Sequence, residues 1–206
     1  MIEKTIDLEK KLNSVLARDS SRNRSLIIKK TNIFAGLVSE YIWATFIRKY
    51  AKKNNIIIEI SYGDFSPIDL DQVDIYTNKY KKITAEVRSS FPYTGINKAV
   101  IKNFDIIGWY ENDIKTKEIK KDFYLRVLYP YNIKDFPMLI KSEFNAFISG
   151  GASKELLESS KYAKYKKFKP LSEHNHNLGK ITQYRVLETI INGFGSMQLT
   201  KKILDI

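Results

Sequence analysis

Residues 72–89 read QVDIYTNKYKKITAEVRS. Apolar and polar side chains alternate from Gln72 to Asn78 and again from Lys82 to Ser89, the period of two that a half-buried strand requires. The bridge Lys79-Tyr80-Lys81 is short enough for a hairpin, so the spacing predicts two paired antiparallel strands. On a strand, residues two apart face the same side, which puts Glu86 and Arg88 together. Pairing the two strands is expected to bring Asp74 beside Glu86 on that side.

Upstream, Ile56 to Ser61 (IIIEIS) is β-branched and strand-like, and Asn54-Asn55 separates it from a helical pattern over Gly36 to Lys53. That helix carries Leu37, Tyr41, Ala44 and Ile47 on one side and also bears Glu40. A further amphipathic helix is predicted over residues 3–18, ended by the polar stretch 19–24. Downstream, 96–104 reads as a helix and Asp105 to Tyr110 as a strand. Asp122 to Tyr129 (DFYLRVLY) reads as a strand stopped by Pro130. Phe144 to Ser149 reads as a strand followed by a Gly150-Gly151 turn and a short helix from Ser153 to Ser159. Residues 180–192 are apolar enough to be buried, with helix and strand evenly matched. A helix, strands and later helices imply an α/β (α+β) fold with a central mixed sheet flanked by helices.

The chain has 206 residues, 24.0 kDa and no cysteine, with 35 Lys+Arg against 23 Asp+Glu. This length suits a single domain, and 43% hydrophobic content supports a real core. Three stretches divide it: 1–35 as N-terminal helix and basic loop, 36–130 as core, and 131–206 as basic extension. Without cysteine, disulfide frameworks, thiol nucleophiles and cysteine zinc sites are excluded. No apolar run approaches the ~20 residues of a spanning helix, and the start lacks the apolar region of a signal peptide. A soluble, cytoplasmic protein is expected, with no membrane partner. Residues 1–54 and 115–206 carry net charges of +7 and +8, whereas 55–114 carries −3. An acidic centre between basic flanks is what a metal-dependent nuclease needs, carboxylates gathering a divalent cation while the surroundings attract phosphate.

Two carboxylates held about one ion diameter apart repel each other unless a cation sits between them. Mg²⁺ relieves that repulsion, taking one or two carboxylates plus water and substrate phosphate. A cation at position 88 would stabilise charge on an attacked phosphate. The succession of a glutamate-bearing helix (GLVSEYIWATFIRKY), a strand, Asp74, a hairpin and Glu86-Val87-Arg88-Ser89-Ser90 resembles the core of the PD-(D/E)XK nuclease superfamily. The resemblance covers residues 36–90. It implies Asp74 and Glu86 as metal ligands, Glu40 as a further ligand or as the group that orients a metal-bound water, and Mg²⁺ (or Mn²⁺ in its place) as cofactor. Arg88 stands where the superfamily usually has lysine. A guanidinium, with a pKa above about 12, cannot act as a base, but it can hold a phosphate bidentately. Lys81 and Lys82, near the hairpin, are alternative sources of an amine. Asp69 and Asp71, in the Pro-containing turn SPIDLDQ, are alternatives to Asp74.

Two basic regions suit a nucleic-acid surface. Arg18, Arg22 and Arg24 surround a polar loop, and arginine is the usual reader of guanine edges. Lys161, Lys164, Lys166, Lys167 and Lys169 are interleaved with Tyr162, Tyr165 and Phe168, a pattern for backbone attraction and base stacking. His174-Asn175-His176-Asn177 has the letters of an HNH nuclease but reads as a polar loop. Gly150-Gly151-Ala152-Ser153 reads as a strand-to-helix turn, with phosphate binding as the alternative. No GxxxxGK[ST] or GxGxxG is present, which disfavours NTPase and dinucleotide chemistry. The expectation is a Mg²⁺-dependent DNA endonuclease acting on double-stranded DNA, resembling type II restriction endonucleases and working as a homodimer. The alternatives are a junction resolvase or repair nuclease, an RNA-directed nuclease, and a non-catalytic DNA-binding protein in which Glu86 and Arg88 form a structural ion pair.

Overall fold

In a computed structural model of the protein, the described residues are 25–62, 72–77, 81–92, 95–111, 119–139, 143–167 and 183–205. Helix α1 spans Leu26–Lys53, ten residues earlier at its start than the periodicity alone indicates. The extra turns begin at Ser25, whose hydroxyl accepts from the Ile28 amide and caps the helix. Thr31, Ile33 and Ala35 are buried, so packing sustains a stretch whose β-branched residues are weak helix formers. The opposite end stops at Asn54 and at Asn55, which turns into the left-handed region at φ 57°. The helix expected over 3–18 lies outside the described residues.

Strands β2 (Gln72–Thr77) and β3 (Lys82–Ser90) form the expected antiparallel pair, and β1 (Ile58–Tyr62) adds to it antiparallel against β2. A helical turn at Ile96–Lys98 runs into a π-helix at Ala99–Asn103, and β4 (Ile106–Glu111) follows. Strand β5 (Phe123–Leu128) then lies parallel to β3, and β6 (Phe147–Ser153) antiparallel to β5. The central sheet is therefore mixed, in the order β1-β2-β3-β5-β6. A second sheet has the order β4-β8-β7, with β7 at Ala163–Lys167 and β8 at Gln183–Leu187. The ambiguous 180–192 segment thus supplies a strand and, at Ile190–Asn192, a short 3₁₀ turn.

One face of the central sheet presents Val73, Ile75, Ala85, Val87, Leu125 and Val127. Trp43, Ala44 and Ile47 of α1 close over it, joined by Leu199, Ile203 and Leu204 of the C-terminal helix α3 (Ser196–Leu204). Each fully buried Val, Leu or Ile among them contributes about 1.5–3 kcal/mol. The Trp43 indole also donates to the Arg126 carbonyl at 3.1 Å, tying α1 to β5. Over the β5–β6 half of the other face, Tyr124, Leu128 and Ala152 pack with Ile106, Trp109, Leu157 and Leu187 from the second sheet and from α2 (Lys154–Ser159).

Gly150 and Gly151 do not form the expected turn. They lie inside β6, where Gly151 exchanges both backbone hydrogen bonds with Phe194, at 3.0 and 2.8 Å. A Cβ on Gly150, which sits at φ +96°, would collide with the Phe194 carbonyl, and one on Gly151 with the Tyr124 carbonyl. Close backbone approach, rather than a phosphate cradle, is what excludes larger residues here. No helix among the described residues is long and apolar enough to cross a membrane.

Candidate metal and phosphate site on the central sheet

The β2–β3 half of the second face is polar. Because successive side chains on a strand point to opposite sides, Gln72 and Asp74 alternate with the core residues Val73 and Ile75, and Glu86 and Arg88 alternate with Ala85 and Val87. The register sets Gln72, not Asp74, directly across from Glu86; Asp74 faces Thr84. Asp74 and Glu86 are therefore diagonal neighbours on one face, a relation that places backbones about 7–8 Å apart. Both carboxylates are buried, at 8% and 6% exposure.

Each carboxylate has a cation beside it. The half-exposed Lys82 ammonium lies 2.7 Å from Asp74 Oδ2, and Gln72 Nε2 donates to Asp74 Oδ1 at 2.5 Å. Arg88 Nε donates to Glu86 Oε1 at 2.6 Å, while its Nη2 also donates to the Gly108 carbonyl of β4 at 3.1 Å. Lys121, just before β5, is 4% exposed and donates to Gln72 Oε1. Across the parallel pairing, Arg126 of β5 stands opposite Arg88. Its guanidinium lies over the Phe104 ring at 5.0 Å and donates to the Asp105 carbonyl at 3.2 Å. A polar row thus crosses β2, β3 and β5, with carboxylates toward β2 and arginines toward β5.

Glu40 is also buried, on the stripe of α1 that carries Trp43, Ala44 and Ile47. That helix covers the apolar face of the sheet, opposite the face of Asp74, Glu86 and Arg88. Among the described residues, no three His, Cys, Asp or Glu side chains gather as a metal cluster. Asp74 and Glu86 thus share the polar face with the Gln72 amide, while Glu40 lies on the helix that covers the apolar face. Two carboxylates remain a sufficient protein donor set for Mg²⁺, which dehydrates reluctantly and keeps several waters. Asp69 and Asp71 lie outside the described residues.

The lysine-rich run is partly committed to local pairing. Lys164 pairs with Glu188, and Lys166 lies 2.5 Å from Asp105 Oδ2 and 3.5 Å from Glu188. Burial alone would lower the Lys166 pKa, but the hydrogen bond and charge of Asp105, reinforced by Glu188, hold it above its ordinary value. The hydrogen bond from Lys164 pulls the Glu188 carboxyl below its ordinary value. These two lysines are therefore each paired with a carboxylate. Lys161 is exposed, with its ammonium 5.1 Å from the Tyr162 ring centre. Arg185 lies over Tyr165 at 4.9 Å. Arg18, Arg22, Arg24, Lys169 and the two histidines lie outside the described residues, as does the side chain of Lys167.

Gln72, Lys121 and Arg126 are site residues that pattern reading missed. Gln72 had a signal, since it is in phase with Asp74 at an inward-facing strand position. Lys121 had none, because only the parallel crossover brings it to β2. The chain is 29% identical over 145 residues to an uncharacterized protein of Methanocaldococcus jannaschii, a match covering 66% of this chain. It spans about half, 52%, of that relative's length. No known family model and no solved structure matches the chain.

Proposed function

We propose that this chain is a Mg²⁺-dependent DNA endonuclease with a PD-(D/E)XK-like core, acting on double-stranded DNA. The observation that carries this reading is the burial of Asp74 and Glu86 on one face of adjacent antiparallel strands, with Arg88 two residues beyond Glu86 on the same face. Burying two carboxylates this close is costly unless cations attend them. Asp74 and Glu86 would hold Mg²⁺, with Lys82, the half-exposed partner of Asp74, giving way to it. When bound, the metal supplies activation of the attacking water and stabilisation of charge on the phosphate. Arg88, oriented by the Gly108 carbonyl, presents a fixed guanidinium to a phosphate oxygen. Within this class a type II restriction endonuclease is the form proposed, cytoplasmic and homodimeric so that both strands of a symmetric site are cut.

A second reading is favoured by the closed pairs themselves. Arg88 on Glu86 and Lys82 on Asp74 are also what a non-catalytic DNA-binding protein would use to satisfy a polar sheet face. A plasmid digest separates the two. Wild type with Mg²⁺ is expected to give discrete fragments, and EDTA, Asp74→Ala or Glu86→Ala to leave the plasmid intact. Binding without cleavage under every metal tested would make the second reading the correct one.

A further inference from the structure

We infer that Lys121, rather than Arg88, supplies the lysine of this site and that its ammonium contacts the scissile phosphate. This rests on the nuclease reading above and names a residue that the Glu-x-Arg pattern does not contain. Lys121 is the one lysine buried among the described residues, and an ammonium is costly to remove from water. Its Nζ donates to the Oε1 of Gln72, the residue that stands directly across from Glu86 and itself donates to Asp74. One side chain therefore links Lys121 to Asp74 and stands across the ladder from Glu86.

The backbone that presents Lys121 is pinned from three sides. Its own amide donates to the Tyr124 hydroxyl at 3.0 Å. The next residue, Asp122, accepts from the Thr84 amide and hydroxyl at 2.8 and 2.9 Å. The Asp122 carbonyl in turn accepts from the Lys154 amide at 2.8 Å. Thr84 is two residues from Glu86 on β3, so the clamp fixes Lys121 in the frame of the catalytic strand. Such preorganisation is what a group positioned for a transition state requires. Arg88 is meanwhile held by Glu86 and Gly108.

In the step, the oxygen of the attacking water forms the new P–O bond as the bond to the leaving oxygen breaks. Solvent accepts the proton of the water and protonates the leaving oxygen. Lys121 keeps its protons throughout and donates hydrogen bonds to a non-bridging phosphate oxygen, so Arg88 and Lys121 hold the phosphate from two directions.

The test compares wild type with Lys121→Met, Lys121→Gln, Lys121→Arg and the pair Lys121→Met/Arg88→Lys. Each is assayed for single-turnover cleavage of supercoiled plasmid in Mg²⁺, for DNA binding by gel shift in EDTA, and for thermal unfolding. Lys121→Met is expected to lose about 100-fold or more in cleavage rate while metal-free DNA binding changes by less than about 3-fold. Lys121→Gln carries the same expectation if Lys121→Met does not fold. Lys121→Arg should recover part of the rate. In the pair, lysine at position 88 should regain about 10-fold over Lys121→Met, a rescue that a merely structural lysine would not allow. Folded Lys121→Met or Lys121→Gln protein that cleaves within about 3-fold of wild type overturns the inference and leaves the nuclease reading standing. Wild type that binds but cuts no DNA removes the nuclease reading, and the role of Lys121 falls with it.

Discussion

The two faces of the central sheet are both buried where β2 and β3 cross, and they differ in what they bury. Toward α1 lie Val73, Ile75, Ala85 and Val87, closed by Trp43 and Ile47. Away from α1, on the same two strands, lie Gln72, Asp74, Glu86 and Arg88. A single alternating pattern therefore builds one face whose burial lowers free energy and another whose desolvation raises it unless every charge is partnered. A sheet shaped only for stability would be better filled with apolar residues on both sides. The polar face is accordingly where function is to be sought, and the apolar face is where stability resides.

If that division holds, the largest stability loss comes from the apolar face. Trp43→Ala is expected to cost about 3–5 kcal/mol, since it empties a fully buried site and removes the donor to the Arg126 carbonyl. Urea unfolding measures it. A loss below about 1 kcal/mol would mean that the apolar face is not where stability resides.

The polar face is expected to respond as a pair rather than residue by residue. Glu86→Leu alone strands Arg88 and should cost about 3 kcal/mol. The double substitution Glu86→Leu/Arg88→Met should return stability to within about 1 kcal/mol of wild type while abolishing cleavage. Recovery of stability without recovery of activity would sharpen the contrast between the faces. A double variant as unstable as the single one would instead assign the polar row a structural role, as the binder reading requires.

Much of this division was legible before the structure. The alternation over 72–89 identified the hairpin and put Glu86 and Arg88 on one side, because a period of two is a property of the chain itself. The register was not legible. It depends on how the two strands pair rather than on the pattern along either one, and it placed Gln72, rather than Asp74, opposite Glu86. Lys121 was hidden for a different reason. Its position follows from the parallel pairing of β5 with β3, a long-range contact that no local pattern encodes. For Glu40, the helical pattern carried no information about which sheet face the helix covers. The early start of α1 at Leu26 and the strand character of Gly150-Gly151 likewise came from tertiary packing overriding local preference.

The smallest predicted effect concerns a polar group on the apolar side. The Tyr129 ring packs against Phe91, Phe136 and Phe144, and its buried hydroxyl donates to the Ala35 carbonyl at 3.1 Å, with the Ser39 hydroxyl 2.9 Å away. Burial pushes its pKa up from 10.0 to about 12, and the Ser39 hydrogen bond only partly offsets that. A group whose folded pKa is raised contributes stability that is complete below the unfolded value and is lost as pH climbs through the folded one. The window is therefore pH 10 to 12, where the unfolded chain ionises Tyr129 and the folded chain does not. Wild-type stability should fall there by up to about 1.4 kcal/mol per pH unit through this group. Tyr129→Phe should start about 1 kcal/mol lower at neutral pH, having lost one buried hydrogen bond, and then fall less steeply through the window. Urea midpoints of both proteins at pH 9, 10.5 and 11.5 measure the difference. Parallel curves would show that the hydroxyl sheds its proton as readily when folded as when unfolded, and that the α1 face is wetter near Tyr129 than its packing implies.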